Sequence, residues 1–364
     1  MNALQEYLIK LIKTQGPMSI AAFMAESLGN DKHGYYMKQD PFGQDGDFTT
    51  APEISQMFGE IIGLWQANNW LNMGRPETMH LIELGPGRGT LMQDALRAMK
   101  IVPGLLDAVK LHLVEMSPAL RKIQKKNLQA YVKPVWYNRI NEVLAAAGTN
   151  PVFIIANEFF DALPVRQFQK TETGWHERLV CLDSHEELCF QLAPMPTSEQ
   201  MIPPAHHRAE TGNIVEICAI GENILEEIAS HIKMNDGTAL IIDYGHDTHG
   251  TGDSLQAVKG HQYSDILTNP GDADLTTHVN FQRLKEIAQG IGIKTYGAIT
   301  QGNFLQSMGI KARSDKLSLN ATEAQKKDIH SALNRLTGEK EMGKLFKVMA
   351  LTDHGLQGVI GFEA

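Results

Sequence analysis

The chain has 364 residues, which is enough for one large domain or two modest ones with a substantial buried core. Its 42 Asp and Glu residues outnumber its 33 Lys and Arg residues, and the formal net charge is -9. Because no run of five or more cations offsets this balance, the composition argues against a nucleic-acid binder. The longest apolar runs are as short as core strands, so we expect no transmembrane segment and no stable membrane insertion.

The first fifteen residues predict an amphipathic helix, because four apolar side chains share one helical face: Leu4, Leu8, Leu11 and Ile12. We expect this helix to dock on the protein's own core, with a membrane-surface role as the alternative. The segment resembles neither a secretory signal peptide nor an Arg-rich transit peptide, since the first arginine is Arg75. The three cysteines have no metal-like spacing and are expected to be reduced, which predicts a cytoplasmic protein.

Helical patterns dominate residues 1–75, which we interpret as an N-terminal helical extension that contributes to the active site. From Met79 onward, strand, glycine-rich turn and helix alternate, which predicts an α/β fold with a mostly parallel sheet and helices on both faces. We therefore predict an α/β domain with an open sheet over residues 76–364. Seven strands are expected in it, at residues 79–84, 110–115, 132–136, 152–156, 238–243, 293–297 and 345–351.

Two insertions interrupt the predicted domain. Residues 165–217 show partial alternation of apolar and polar side chains around turn signals, which predicts a small antiparallel β-meander. Residues 245–277 are rich in Gly, Asp, His and Thr and follow the fifth strand directly. Because this stretch leaves the carboxyl end of a strand, we interpret it as a lid over the active site, with a disordered loop as the alternative.

The most informative motif is a short apolar run that ends in Glu83 and is followed by glycines at alternate positions. It predicts a buried strand that breaks into a tight turn and opens a helix, where glycine lets the backbone approach a ligand. The spacing E-x-G-x-G-x-G differs from the G-x-G-x-x-G of dinucleotide sites and suits a ligand with an amino-acid cation, such as S-adenosylmethionine. The predicted cofactor contacts are Glu83, Gly85, Pro86, Gly87 and Gly89. A turn used only for packing is the alternative.

Two further cofactor contacts follow from the strand order. Glu115 ends the second strand, where nucleotide-binding βαβ units carry an acid that accepts hydrogen bonds from ribose hydroxyls. The alternative is a carboxylate that caps the helix beginning near Ser117. Tyr137 and Asn138 follow the third strand at the usual position for adenine contacts, and Asn138 is the predicted one.

The fourth strand ends in Asn157, Glu158, Phe159 and Phe160, with Asp161 directly after them. Open α/β sheets bind their ligands at this edge, so we predict Asn157, Glu158 and Asp161 as catalytic residues that bind a cationic acceptor and take up its proton. Phe159 is expected to wall the substrate site and exclude water. The alternative is a set of polar residues that only cap the next helix.

Histidines near the second insertion are the remaining candidates. His246 follows the fifth strand and His278 follows the insertion, and both are predicted substrate or lid contacts, with simple surface histidines as the alternative. Asp243, His246 and His249 also invite a metal site. A loop sequence guarantees neither the ligand geometry nor the hydrogen bonds to the ligands that a metal site needs, so we predict no metal.

Several blocks together resemble the MidA family of class I S-adenosylmethionine-dependent methyltransferases. Its mitochondrial members are the complex I assembly protein arginine methyltransferases, and this chain resembles a bacterial-type member. The block at 46–59 is far more specific than the glycine turn alone. The resemblance rests on residues 34–36, 40–43, 46–59, 83–89, 157–164, 274–278 and 300–304.

The resemblance implies a Rossmann-like methyltransferase with an N-terminal extension, further cofactor contacts at Gly46, Asp47 and Thr49, and methylation of an arginine in a complex I subunit. The paired glutamates that hold guanidinium in many arginine methyltransferases are absent, since Glu158 is followed by Asp161. An arginine acceptor therefore rests on the resemblance.

Two other functions stay open as alternatives. The chain can be a non-catalytic complex I assembly factor that keeps the cofactor fold only as structure. A nicotinamide-dependent oxidoreductase is disfavoured by the glycine spacing. The oligomeric state is also open, with a homodimer as one alternative.

Overall fold

The structure is a computed structural model, and it describes residues 1–38 and 50–363. The predicted cofactor contacts Gly46, Asp47 and Thr49 lie outside these residues. The described chain forms two compact units, each assembled from separate stretches of sequence. The insertion unit comprises the described part of 1–48 with 161–223 and 248–280, and the sheet unit comprises the described part of 49–160 with 224–247 and 281–363.

The strands, in chain order, are Met18–Ser19 (β1), Met79–Leu84 (β2), Val109–Val114 (β3), Val135–Tyr137 (β4), Val152–Asn157 (β5), Arg166–Thr171 (β6), Gly174–Leu182 (β7), Leu188–Leu192 (β8), Ile214–Ile217 (β9), Gly237–His246 (β10), Gln256–Lys259 (β11), Gln262–Ser264 (β12), Asp274–Thr276 (β13), Val279–Asn280 (β14), Lys294–Thr300 (β15) and Phe346–Thr352 (β16).

The α-helices, in chain order, are Ala3–Gln15 (α1), Ile20–Gly29 (α2), Tyr35–Lys38 (α3), Ala51–Ile54 (α4), Gln56–Asn72 (α5), Thr90–Met99 (α6), Leu105–Ala108 (α7), Pro118–Leu128 (α8), Ile140–Ala147 (α9), Ala219–Asn235 (α10), Phe281–Ile291 (α11), Gln301–Ser307 (α12), Ile310–Ser318 (α13), Glu323–Thr337 (α14) and Met342–Leu345 (α15). Short 3₁₀ turns lie at Glu199–Met201 and Pro204–His206. No helix in the described ranges is long and apolar enough to cross a bilayer.

The sheet unit is built on strands in the order β15-β16-β10-β5-β2-β3-β4. The strands from β10 to β4 pair in parallel, and β16 pairs antiparallel with both of its neighbours. The core is therefore a mostly parallel sheet, as predicted. Strands β2 and β5 are buried along their whole length, as expected for central strands of a sheet covered on both faces.

Each predicted strand of this domain has a counterpart, and the third is displaced. It was expected at 132–136 but occupies Val135–Tyr137. The reason is Pro134, which has no backbone N–H to donate to a sheet ladder, so regular pairing with β3 begins only after it.

The N-terminal extension over residues 1–75 stays a prediction. Helix α5 belongs to the sheet unit, where it packs closely on α6. A Cβ on Gly59 would lie 2.7 Å from Cβ of Asp94, and one on Gly63 would lie 2.5 Å from the carbonyl oxygen of Ala95. Because both glycines face α6, the two backbones approach more closely than larger side chains would allow.

We expect Gly63→Ala to destabilise the protein by about 1–3 kcal/mol, because the new methyl group would overlap the α6 backbone. Urea unfolding of the purified protein measures this change. Gly290→Ala is the matched control, since Gly290 lies in helix α11 with nothing within 4 Å of an added Cβ. That variant should gain up to about 1 kcal/mol from helix propensity, and equal effects of the two changes would contradict the packing argument.

The insertion unit contains the predicted meander. Its larger sheet has the order β1-β7-β6-β9 with β8 paired to β7, and a smaller sheet has the order β12-β11-β13. The apolar face of α1 is buried, so the first helix docks on its own core as predicted. That core joins side chains from all three stretches of the unit, including Leu4, Leu8, Phe23, Val165, Val180, Leu255 and Leu275.

Most of the second insertion, residues 248–277, belongs to the insertion unit and carries β11, β12 and β13. Buried Gln167 donates from Nε2 to Glu216 at 2.6 Å and to Asp253 at 2.8 Å, and Glu216 also accepts from the backbone of Ser254 at 3.1 Å. These hydrogen bonds join the second insertion to the meander. Its role as a lid stays a prediction.

Candidate functional site

A glycine turn, residues 85–89, follows β2 and leads into α6. Gly85, Gly87 and Gly89 have φ values of +60°, +51° and +80°, which are left-handed conformations that favour glycine. The N–H of Gly85 donates to the carbonyl of Val114 at 3.0 Å, which ties the turn to the end of β3. The predicted succession of strand, turn and helix is present, with the turn at the carboxyl end of a central strand.

Glu83 lies at the end of β2 and is only 3% exposed. Its Oε2 atom is buried and has no hydrogen-bond partner among the described residues. Burial raises the pKa of this carboxyl to about 8. An unsatisfied buried carboxyl is costly, and a cationic group of a ligand would supply the donor that Oε2 lacks. The residue therefore fits a ligand with an ammonium group.

Glu115 lies just after β3 and is held at both carboxylate oxygens. Oε1 accepts from the N–H of Ser117 at 2.7 Å, and Oε2 accepts from Nε2 of Gln124 at 3.1 Å. Ser117 is the N-cap residue of α8, so the capping contact weighed from the sequence is present. Each oxygen keeps a lone pair that can accept from a hydroxyl group, and ribose binding stays a prediction.

Asn138 follows β4 and is exposed, and its Oδ1 atom accepts from Nη2 of Arg121 at 2.7 Å. The same guanidinium binds the carbonyls of Glu115 and Tyr137. Arg121 thus joins the ends of β3 and β4, where the predicted ribose and adenine contacts lie. Adenine binding by Asn138 stays a prediction.

The polar loop at residues 157–160 begins where β5 ends. Glu158 has φ of +50°, an uncommon conformation for a residue with a side chain. Its N–H donates to the carbonyl of Ile242 at 2.9 Å. Its Oε1 atom accepts from the backbone N–H of Ala51 at 3.2 Å and from Nδ2 of Asn157 at 3.1 Å. The structure therefore brings Asn157 and Glu158 together with Ala51, the first residue of α4.

Asp243 is the residue that shapes this loop. It is fully buried on β10, and its Oδ2 atom accepts from the N–H groups of Phe159 at 3.2 Å and Phe160 at 3.0 Å. The sequence suggested Asp243 only as a metal ligand. Within residues 1–38 and 50–363, no three His, Cys, Asp or Glu side chains form a group that could hold a metal ion. The position of Asp243 near the carboxyl end of the buried strand β10 was the sequence signal that could have indicated its role in holding the 157–160 loop.

The 157–160 loop and the glycine turn touch. A Cβ on Gly85 would lie 3.0 Å from Cδ2 of Phe159, so only glycine fits at this point without a shift of the ring. The start of α6 is also tied to α4, because Oγ1 of Thr90 donates to Oε1 of Glu53. The carboxyl ends of β2 and β5 thus carry two loops in direct contact, which is where open parallel sheets bind ligands.

The remaining predicted site residues are Asp161, His246 and His278. Asp161 is buried in the insertion unit, and its carbonyl accepts from the N–H of Thr277 at 2.9 Å. His278 is exposed in the same unit, and its N–H donates to Oγ of Ser254 at 2.8 Å. His246 is half-buried at the end of β10 in the sheet unit. The catalytic role of Asp161 and the substrate or lid roles of the two histidines stay predictions.

Comparison with known proteins shows what the chain is similar to. Residues 61–299 match a family described as S-adenosyl-L-methionine-dependent methyltransferases. The chain is 38% identical to protein arginine methyltransferase NDUFAF7, mitochondrial, of Bos taurus over 96% of its own length and 83% of that protein. It is 37% identical to the Homo sapiens protein of the same name over 97% of its length and 84% of that protein.

A solved structure gives the same answer for the fold. The crystal structure of a Burkholderia thailandensis protein bound to S-adenosyl-homocysteine superposes with a TM-score of 0.86 at 27% identity, covering 99% of this chain and 94% of that one. The methyltransferase fold and the cofactor expected from the glycine turn are thereby confirmed. The chain belongs to the MidA family of S-adenosylmethionine-dependent methyltransferases.

Proposed function

We propose that the protein methylates an arginine side chain of a partner protein, and that this partner is a subunit of respiratory complex I. The names of the mitochondrial relatives support an arginine acceptor. The observation that carries the proposal is the contact of Gly85 with Phe159, because a methyl donor on the glycine turn and an acceptor at the 157–160 loop would then be neighbours.

The sheet unit offers a separate residue for each part of the cofactor. Glu83 would bind the ammonium group of its amino-acid end, and Glu115 would bind the ribose hydroxyls. The strand order, with β16 as the antiparallel member between β15 and β10, supports a class I, Rossmann-like assignment. When bound, S-adenosylmethionine supplies a methyl group that is electrophilic because of the adjacent sulfonium charge.

The acceptor chemistry falls to the 157–160 loop. A guanidinium is charged at neutral pH, and a carboxylate orients it through paired hydrogen bonds. Transfer would form an N–C bond and break the methyl–sulfur bond, with S-adenosylhomocysteine as the leaving group. The acceptor nitrogen would then lose one proton, which we assign to the Glu158 carboxylate. Asp243 fixes the backbone of the loop, so little reorganisation is needed at the moment of transfer. Phe159 would exclude water from the reacting groups.

Mass spectrometry of complex I subunits tests the proposal. Subunits purified from cells that lack the protein are incubated with S-adenosylmethionine and the purified enzyme, then analysed as intact proteins and as peptides. We expect methyl groups on arginine of one subunit, and their number follows from the mass gain. Replacement of that arginine by lysine should abolish the gain.

Two other outcomes would overturn the proposal in different ways. Tight binding of S-adenosylhomocysteine with no methylated subunit would favour the non-catalytic assembly factor. A mark on lysine or on a small molecule would keep the methyltransferase but replace the acceptor.

A further inference from the structure

Gln124 on α8 is a polar residue in an apolar row. It shares one helical face with Leu120 and Leu128, and all three are at most 2% exposed. This face packs on the glycine turn, since a Cβ on Gly89 would lie 3.4 Å from Cδ1 of Leu128 and 3.5 Å from Cγ of Gln124. A buried amide is tolerated only when it is hydrogen-bonded, so the partners of Gln124 indicate what it does.

The amide of Gln124 contacts three different elements. Nε2 donates to the carbonyl of Gly87 in the glycine turn at 2.7 Å and to Oε2 of Glu115 after β3 at 3.1 Å. Oε1 accepts from Nε1 of Trp136 on β4 at 2.7 Å. A single side chain therefore connects the carboxyl ends of three neighbouring strands, and both amide protons are used.

The chemistry of these partners fixes the orientation of the amide. A carbonyl and a carboxylate only accept, whereas an indole N–H only donates. The reverse orientation would place the amide oxygen against two acceptors and the amide nitrogen against a donor. Gln124 is therefore held in one arrangement, and it holds Glu115 in one arrangement as well.

We propose that Gln124 is a positioning residue of the cofactor site, which orients the Glu115 carboxylate toward the ribose hydroxyls and fixes the Gly87 peptide of the glycine turn. The inference rests on the proposed binding of the cofactor ribose by Glu115. With Oε1 held by Ser117 and Oε2 held by Gln124, the remaining lone pairs of the carboxylate point in fixed directions. Gln124 thus acts on cofactor affinity through Glu115.

A thermodynamic cycle tests this role. Titration calorimetry compares S-adenosylhomocysteine with its 2′,3′-dideoxy analogue on the wild type and on Gln124→Met, which keeps the side-chain length. In the wild type, removal of the hydroxyls should weaken binding roughly 10- to 100-fold, as expected for hydrogen bonds to a charged group. Gln124→Met should bind S-adenosylhomocysteine roughly 10-fold more weakly than the wild type does. In this variant, removal of the hydroxyls should weaken binding by less than about threefold.

Asn127 provides the matched control. It lies on the same helix, and its Nδ2 atom donates to the carbonyl of Arg88 in the same turn at 3.0 Å, but it has no hydrogen bond to Glu115. Asn127→Leu should weaken the binding of S-adenosylhomocysteine and of its dideoxy analogue by the same factor. If Gln124→Met also lowers the affinity for both ligands by the same factor, Gln124 only supports the glycine turn, and the proposal is overturned. Failure of the wild type to bind S-adenosylhomocysteine would instead overturn the proposed function.

A second variant covers the case in which Gln124→Met does not fold. Gln124→Glu is nearly isosteric, but a carboxylate there would face the acceptors Gly87 and Glu115 without a proton to donate. We expect its affinity for S-adenosylhomocysteine, relative to that of the wild type at the same pH, to rise as the pH falls from 8 to 6, because protonation restores one donor. The ¹⁵N–¹H resonance of the Trp136 indole reports whether its hydrogen bond persists. If the affinity of Gln124→Glu changes with pH in the same way as that of the wild type, the proposal is contradicted.

Discussion

Glu158→Gln is expected to lower kcat for methyl transfer roughly 100-fold or more, while the Kd for S-adenosylhomocysteine changes less than about threefold. The amide keeps the shape of the side chain and its Oε1 atom can still accept from the N–H of Ala51, so the fold of the loop should persist. In the proposed mechanism, the substitution removes the charge that would pair with a guanidinium and the base that would take its proton. Single-turnover rates at saturating cofactor measure the effect on the chemical step.

Glu226→Gln is the matched control for this prediction. Glu226 is exposed on α10, outside the 157–160 loop, and its substitution removes the same single charge. It should leave kcat unchanged. Full activity of Glu158→Gln would show that the carboxylate is not needed for methyl transfer. An equal loss of cofactor affinity and kcat would show that Glu158 shapes the cofactor site instead.

The parts of the site that depend on neighbours in the sequence were predictable. The apolar runs that form β2 and β5 are long enough and isolated enough by turns to be recognised as buried strands. The glycine turn needs left-handed backbone at alternate positions, and glycine marks these positions directly. The alternation of strand and helix predicts a parallel sheet, and ligands bind at the carboxyl edge of such a sheet, where the turn lies.

Contacts between distant segments were not predictable in the same way. Asp243 shapes the 157–160 loop only because β10 pairs with β5, and nothing in either segment alone announces that pairing. Gln124 looks like an ordinary helix residue until β3, β4 and the glycine turn are assembled around it. The insertion unit is a stronger case, because its core combines three stretches that are far apart in the chain.

Glu83→Gln is expected to separate the stability of the protein from its affinity for the cofactor. Burial raises the pKa of Glu83 to about 8, whereas an unfolded chain releases this proton near pH 4.5. Between these pH values the folded, ligand-free state holds a proton that the unfolded state has lost, so stability falls as the pH rises through the window. Glutamine does not titrate, and the variant should be more stable than the wild type at pH 8.5, on the order of 3 kcal/mol. Urea unfolding at pH 6 and pH 8.5 measures the difference.

The same substitution should weaken S-adenosylhomocysteine binding roughly 10- to 100-fold, because it removes a charged partner of the ligand ammonium. Binding to the wild type near pH 7 should also release about one proton, since the ammonium favours the ionised carboxyl, and calorimetry in buffers of different ionisation enthalpy detects it. 5′-Methylthioadenosine lacks the amino-acid end, so the wild type and Glu83→Gln should bind it equally. If Glu83→Gln lowers the affinity for S-adenosylhomocysteine and for 5′-methylthioadenosine by the same factor, Glu83 supports the pocket as a whole, and the ammonium has another partner. If only S-adenosylhomocysteine binds more weakly, the Glu83 carboxylate binds the ligand ammonium, and the same charge lowers the stability of the ligand-free protein at high pH.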